Sequence, residues 1–207
     1  MTRDEVCRRH HVTDSGGEGP TLVFAHGFGC DQNVWRLVAP AFEQTHRVLR
    51  FDHIGCGRSD ARAFDPKRHA TLDGYAQDVV GLLDALDLED VVFVGHSVSG
   101  MIGALASIQR PARFQSLVML GPSPRYLNDP PDYHGGFEMD DVGGLIEMLE
   151  RNLVGWADYL SRAVAGPGEE AAAAELKASF CSGDPAMIRS FAAATFLADN
   201  RADLPKV

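Results

Sequence analysis

Short apolar runs punctuate the first 120 residues: Thr21-Leu22-Val23-Phe24-Ala25, Arg47-Val48-Leu49-Arg50-Phe51, Val91-Val92-Phe93-Val94 and Leu117-Val118-Met119-Leu120. Runs of this length, rich in valine, leucine and phenylalanine, predict buried strands. Between them the apolar residues space out to helical period. Asp31 can cap a helix carrying Val34, Leu37, Val38 and Phe42 on one side. Thr71 opens a second, with Leu72, Tyr75, Ala76, Val79, Leu83 and Leu86 on one stripe and Asp73 in the first turn, where the helix dipole favours a negative charge. Val98, Met101, Ile102 and Leu105 mark a third. Strands alternating with helices predict a parallel sheet covered on both faces, with right-handed crossovers. The N-terminal residues read as a polar start that Ser15-Gly16-Gly17-Glu18-Gly19-Pro20 turns into the first strand.

The rhythm changes at Pro122. Pro124, Pro130 and Pro131 interrupt regular structure, and the residues beyond them carry helical stripes only. Val142, Leu145, Ile146 and Leu149 form one; Trp156, Leu160 and Val164 another; Leu176 and Phe180 a third. Asp184-Pro185 is a cap with proline at the first helical position, opening a fourth helix with Ile188, Phe191 and Phe196. Four short helices inserted after a strand of an α/β sheet predict a lid. The expected organisation is an α/β core over 1–121, a helical lid over 122–200, and a return to the core over 201–207.

The chemistry centres on Gly95-His96-Ser97-Val98-Ser99-Gly100, which joins a strand to a helix without a loop. So sharp a corner needs small residues two places before and after it, and Gly95 and Ser99 supply them. This is the nucleophile elbow of α/β-hydrolases, usually G-x-S-x-G, with Ser99 in place of the second glycine. A serine at the corner also needs two backbone N–H groups to hold a developing oxyanion. The residue after it, Val98, is one donor, and His26-Gly27-Phe28-Gly29 after an earlier strand offers Phe28 as the other. Gly55-Cys56-Gly57 follows a strand too, but Asp60 stands where a dinucleotide-binding loop needs its third glycine.

His26 through Gln32, Thr71 through Tyr75, Gly95 through Ser99, Pro122-Ser123-Pro124-Arg125-Tyr126-Leu127-Asn128-Asp129 and His134-Gly135-Gly136-Phe137 together resemble the α/β-hydrolase family of the bacterial stress regulator RsbQ and the plant karrikin and strigolactone receptors. The resemblance runs from about the first strand to the last residue, and Ser99 in the elbow is shared with the plant receptors. It implies Ser97 as nucleophile, Phe28 and Val98 as oxyanion donors, and a four-helix lid roofing an apolar pocket. Phe137 and Phe196 fall where pocket-lining phenylalanines are expected, Trp156 and Leu160 lie on a lid helix, and Leu160 stands where an aromatic is usual. His96 reads as a polar group of the pocket. The implied activity is a serine hydrolase for a small apolar ester or lactone, with no cofactor and no metal. A ligand-binding signalling protein that engages a partner through the lid is the alternative. The family's order is Ser, Asp, His, and the last two are expected on two further strand-helix units that these 207 residues do not include; the expectation is therefore an inactive fragment or truncated product. His134, the only histidine after Ser97, reads as a structural or pocket residue.

Composition narrows the partners. A formal net charge of −10, with no basic run, argues against nucleic acid and an anionic membrane surface. Cys7, Cys30, Cys56 and Cys181 form no C-x-x-C pair, so reduced thiols are expected. His10, His11, His46, His53 and His69 show no metal-ligand spacing and read as surface or loop residues. With no signal-peptide or membrane-spanning stretch in view, the expected location is the cytoplasm.

Overall fold

The computed structural model describes residues 1–180 and 182–207; Cys181 lies outside the described residues. Five strands form one sheet: β1 (Thr13–Asp14), β2 (Thr21–Ala25), β3 (Arg47–Phe51), β4 (Val91–His96) and β5 (Phe114–Leu120), in the spatial order β1-β3-β2-β4-β5. All neighbours run parallel except β1, which pairs antiparallel with β3. The register aligns the C-terminal ends: Ala25 pairs with Phe51 and with Gly95, and His96 with Leu120. Every loop that carries chemistry therefore leaves one edge of the sheet. Ligands of open α/β sheets bind at this edge.

Helices α2 (Leu72–Ala85) and α3 (Val98–Gln109) cover one face. Their stripes meet Val23, Leu49, Phe51, Val91 and Phe93 in the main core, where Tyr75, Val79, Leu82, Leu83 and Ile102 are fully buried. Thr71 is the N-cap residue of α2 as expected, although its side chain makes no capping bond. The other face holds a smaller cluster of Leu22, Phe24, Trp35, Ala39, Val48 and Val94.

The N-terminus is a helix, α1 (Arg3–Arg9), closed by a capping box between Thr2 and Glu5. The segment after Asp31 corrects the expected long helix. Asp31 does cap it, accepting from Asn33 N–H at 2.8 Å, but the backbone forms two 3₁₀ turns, Gln32–Trp35 and Ala39–Ala41. The supposed stripe of Val34, Leu37, Val38 and Phe42 is exposed, and Trp35 and Ala39 point inward instead. Pro40 removes an amide donor in the middle of the segment, which breaks an α-helical run.

The lid forms as its stripes require, from α4 (Met139–Arg151), α5 (Leu153–Ala165), α6 (Glu170–Phe180) and α7 (Pro185–Phe196). Asp184 caps α7 by accepting from Ala186 and Met187. Leu149, Trp156, Ala157, Leu160, Phe180, Ile188 and Ala192 make a second core separate from that of the sheet. Val164, read as part of the α5 stripe, lies on the solvent side. No helix among the described residues is long and apolar enough to cross a membrane.

Candidate active site

Ser97 sits at the corner between β4 and α3 with φ 55° and ψ −124°. A serine rarely holds such a conformation, and it persists only where its surroundings fix it. Its N–H donates to Leu120 O at the end of β5 (2.8 Å), and its C=O accepts from Gly100 N–H (2.9 Å). A methyl group on Gly95 would collide with the backbone of Ser99, so strand and helix touch as the elbow demands. Ser97 is half-buried, and its hydroxyl lies near the Tyr126 hydroxyl.

The β2 loop comes up against this corner. A Cβ on Gly27 would lie 2.7 Å from His96 Nδ1 and 3.3 Å from Ser97 Cβ, so only glycine permits the approach. Gly29 has φ 70°, and a Cβ there would run into the Phe180 ring. Neither Phe28 N–H nor Val98 N–H donates to a protein acceptor among the described residues. An oxyanion hole needs amides that are free of protein acceptors.

Above them the aromatic residues converge. Phe28 packs edge-on to Trp156, Phe191 and Phe196, with ring centroids 6.0, 5.7 and 5.5 Å away. Phe196 in turn meets Phe137 at 6.1 Å. Trp156 and Leu160 are buried in the lid core, whereas Phe137 and Phe196 are half-buried. A separate cleft of about 590 Å³ opens between Asp31–Arg36 and α6, lined by Cys30, Val34, Leu176 and Ser179 among others; Ser97 does not line it.

Tyr126 is the residue that sequence reading missed. It lies in the motif that follows Pro122, where the sequence assigns it no role. Its hydroxyl lies 3.4 Å from Ser97 Oγ, and its ring packs on Phe137 and Phe196. The segments at Arg125 and Asp199, paired antiparallel, run beside it. Arg125 bridges to Asp199 (2.7 Å), Arg201 joins Asp199 and Asp129 (2.7 Å each), and the Arg201 guanidinium lies 4.7 Å over the Tyr133 ring. The Arg201 hydrogen bonds hold the Asp199 carboxyl down at about 2. Asn200 N–H completes the neck by donating to Pro124 O at 2.8 Å.

The histidines need correction. His10, His53 and His69 are buried, not surface residues. His69 Nε2 donates to Asp78 Oδ2 at 2.8 Å, and Arg68 also reaches that buried carboxylate. His134, read as a structural or pocket residue, is exposed. His96 is half-buried, its Nδ1 has no protein partner, and that atom faces Gly27. Burial lowers its pKa. Among the described residues no imidazole or carboxylate hydrogen-bonds Ser97 Oγ; its one side-chain partner is Tyr126.

Comparison with known proteins fits this geometry. The alpha/beta hydrolase fold family matches residues 20–175. The rice protein named probable esterase D14L is 42% identical over 204 residues, 98% of this chain and 74% of that protein. The karrikin insensitive 2 receptor CA of Petunia hybrida is 39% identical over 203 residues, again 98% of this chain and 75% of that protein. The solved hydrolase olei00960 of Oleispira antarctica superposes with a TM-score of 0.94 at 42% identity, covering 99% of this chain and 75% of that one. A strained serine corner, a glycine loop pressed against it and likeness along nearly the whole chain agree, and the chain belongs to the α/β-hydrolase family, on the side of it that includes the plant karrikin receptors.

Proposed function

We propose that Ser97 is the nucleophile of a serine hydrolase site for a small apolar ester or lactone, with the N–H groups of Phe28 and Val98 as oxyanion donors. The observation that carries this reading is the positive φ of Ser97 beneath the aromatic roof. Phe137, Trp156, Leu160 and Phe196 would supply the apolar enclosure, and His96 and Tyr126 its polar edge. Residues 1–121 then form the catalytic core and 122–200 the lid, whose two ends pair at Arg125 and Asp199, and 201–207 begin the return towards the core. An esterase name and a receptor name among the relatives support hydrolysis and ligand sensing alike.

The second reading is a ligand-binding signalling protein with little turnover, which engages a partner protein through its lid. It is favoured by the receptor name carried by one of the relatives. A serine site without its base keeps only about 10³–10⁴-fold acceleration over water. With 4-nitrophenyl acetate, these 207 residues should show at most that residual acceleration, and Ser97→Ala should change the rate by less than about twofold. Robust turnover that Ser97→Ala abolishes would show that a base does reach the hydroxyl, and would favour the enzymatic reading over the sensing one.

Ligand binding should survive without turnover, since enclosure by aromatic surface does not need a general base. Isothermal titration with a synthetic strigolactone analogue tests this. Phe137→Ala, at the roof, should weaken binding about tenfold, and Phe42→Ala, on the far face of the sheet, should leave it unchanged. Equal affinity in the two folded variants would place the pocket elsewhere.

A further inference from the structure

Ser99 stands where the general elbow motif carries its second glycine. It is fully buried, and its hydroxyl reaches two other strand ends. Oγ donates to His26 O, just beyond β2, at 2.5 Å. It also meets His53 Nε2, just beyond β3, at 2.7 Å.

The proton directions can be deduced. His53 N–H donates to His26 Nε2 at 3.1 Å, so that nitrogen is bare and His26 carries its proton on Nδ1, donating to Gly27 O at 2.8 Å. Ser99 has one proton, and His26 O takes it. His53 must therefore be the donor to Ser99, through Nε2–H. Both imidazoles are neutral, which agrees with burial lowering the pKa of each.

This hydroxyl sits between the two candidate oxyanion donors. Ser99 directly follows Val98, and His26 lies two residues before Phe28. We propose that Ser99 is the positioning residue of the oxyanion hole, a strut that fixes the β2 loop against the first turn of α3 and so sets Phe28 N–H relative to Val98 N–H. The proposal rests on the assignment of those two amides as oxyanion donors. Donors on separate chain segments must both lie within hydrogen-bond distance of one developing charge, and without a tie between the segments that spacing drifts. Glycine at 99 would also leave His26 O and His53 Nε2–H unpaired in a dry interior.

The test is nuclear magnetic resonance on the 207-residue protein. The wild type should show His53 protonated on Nε2 and His26 on Nδ1. In Ser99→Ala the amides of Cys30, which donates to Gly27 O, and of His53 should exchange with solvent about tenfold faster, and the Phe28 and Val98 signals should broaden. Ser107→Ala removes another buried hydroxyl of α3, one that bonds only to Ala104 O of its own helix, and should leave all four amides unchanged. Equal exchange and sharp signals in Ser99→Ala would overturn the proposal. So would His53 protonated on Nδ1 in the wild type, a result that does not need the variant to fold. These readouts involve no turnover, so the strut is scored separately from the ester and ligand assays that test the proposed function.

Discussion

Lowering the pH from 7.5 to 5.5 should remove up to about 4 kcal/mol of folding stability, well before most carboxylates titrate. The source is three buried histidines, His10, His26 and His53, each with its pKa lowered chiefly by burial. A histidine whose folded pKa lies below its unfolded one stabilises the fold above the unfolded pKa, near 6.5. As pH falls below that value the unfolded chain takes up protons that the native state refuses, and stability declines by at most about 1.4 kcal/mol per pH unit for each such group. His53 has no carboxylate to donate to from Nε2, which faces the Ser99 hydroxyl, and its neighbours include the His26 and Tyr75 rings. Urea unfolding at pH 7.5, 6.5 and 5.5 measures the loss. His10→Gln should reduce the slope, because its Nε2 has no protein partner and its Nδ1 meets only Asp52 O at 3.3 Å. Stability that is flat or rises over this range would mean that these imidazoles charge in the folded protein.

Trp156→Ala should cost about 3–5 kcal/mol and open the lid while the sheet stays folded. Trp156 is 1% exposed and packs on Phe180 at 5.3 Å and Phe28 at 6.0 Å, at the centre of the lid core. That core shares few side chains with the main one, Phe28 being the residue packed against both. A cavity of this size cannot be refilled from Leu160 and Ile188 without moving whole helices, so the loss falls on α4–α7. Limited proteolysis should cut within 139–180 far sooner than in the wild type. A single cooperative transition with wild-type resistance of 139–180 to protease would show that lid and sheet unfold as one unit.

Residues 72–85 illustrate what local pattern can decide. Leu72, Tyr75, Ala76, Val79 and Leu83 repeat at helical period over four turns, and any fold that buries them must make that helix. Residues 31–42 have a similar stripe but no helix. Pro40 breaks the backbone run, and the sheet face beneath is satisfied by Trp35 and Ala39. The lid helices follow the first case, and Asp184-Pro185 fixes the start of α7 almost to the residue.

The elbow was also readable, because its constraint is steric and lies within five residues. Gly95, Ser97 and Ser99 are close in sequence and in space, so their spacing alone states the geometry. His53, His69 and Tyr126 are the opposite case. Each looks like a loop residue by its neighbours, but Ser99 lies 46 positions from His53, Asp78 nine from His69, and Ser97 29 from Tyr126. Sequence by itself determined four of the five strands, the helices α2 and α3, the lid and the serine corner, since periodicity and small residues act over one or two turns; β1 and α1, in the stretch read as a polar start, were not legible. Tertiary structure alone decided which polar side chains are buried and which hydroxyl stands beside Ser97, because a hydrogen bond between distant segments leaves no periodic trace in either.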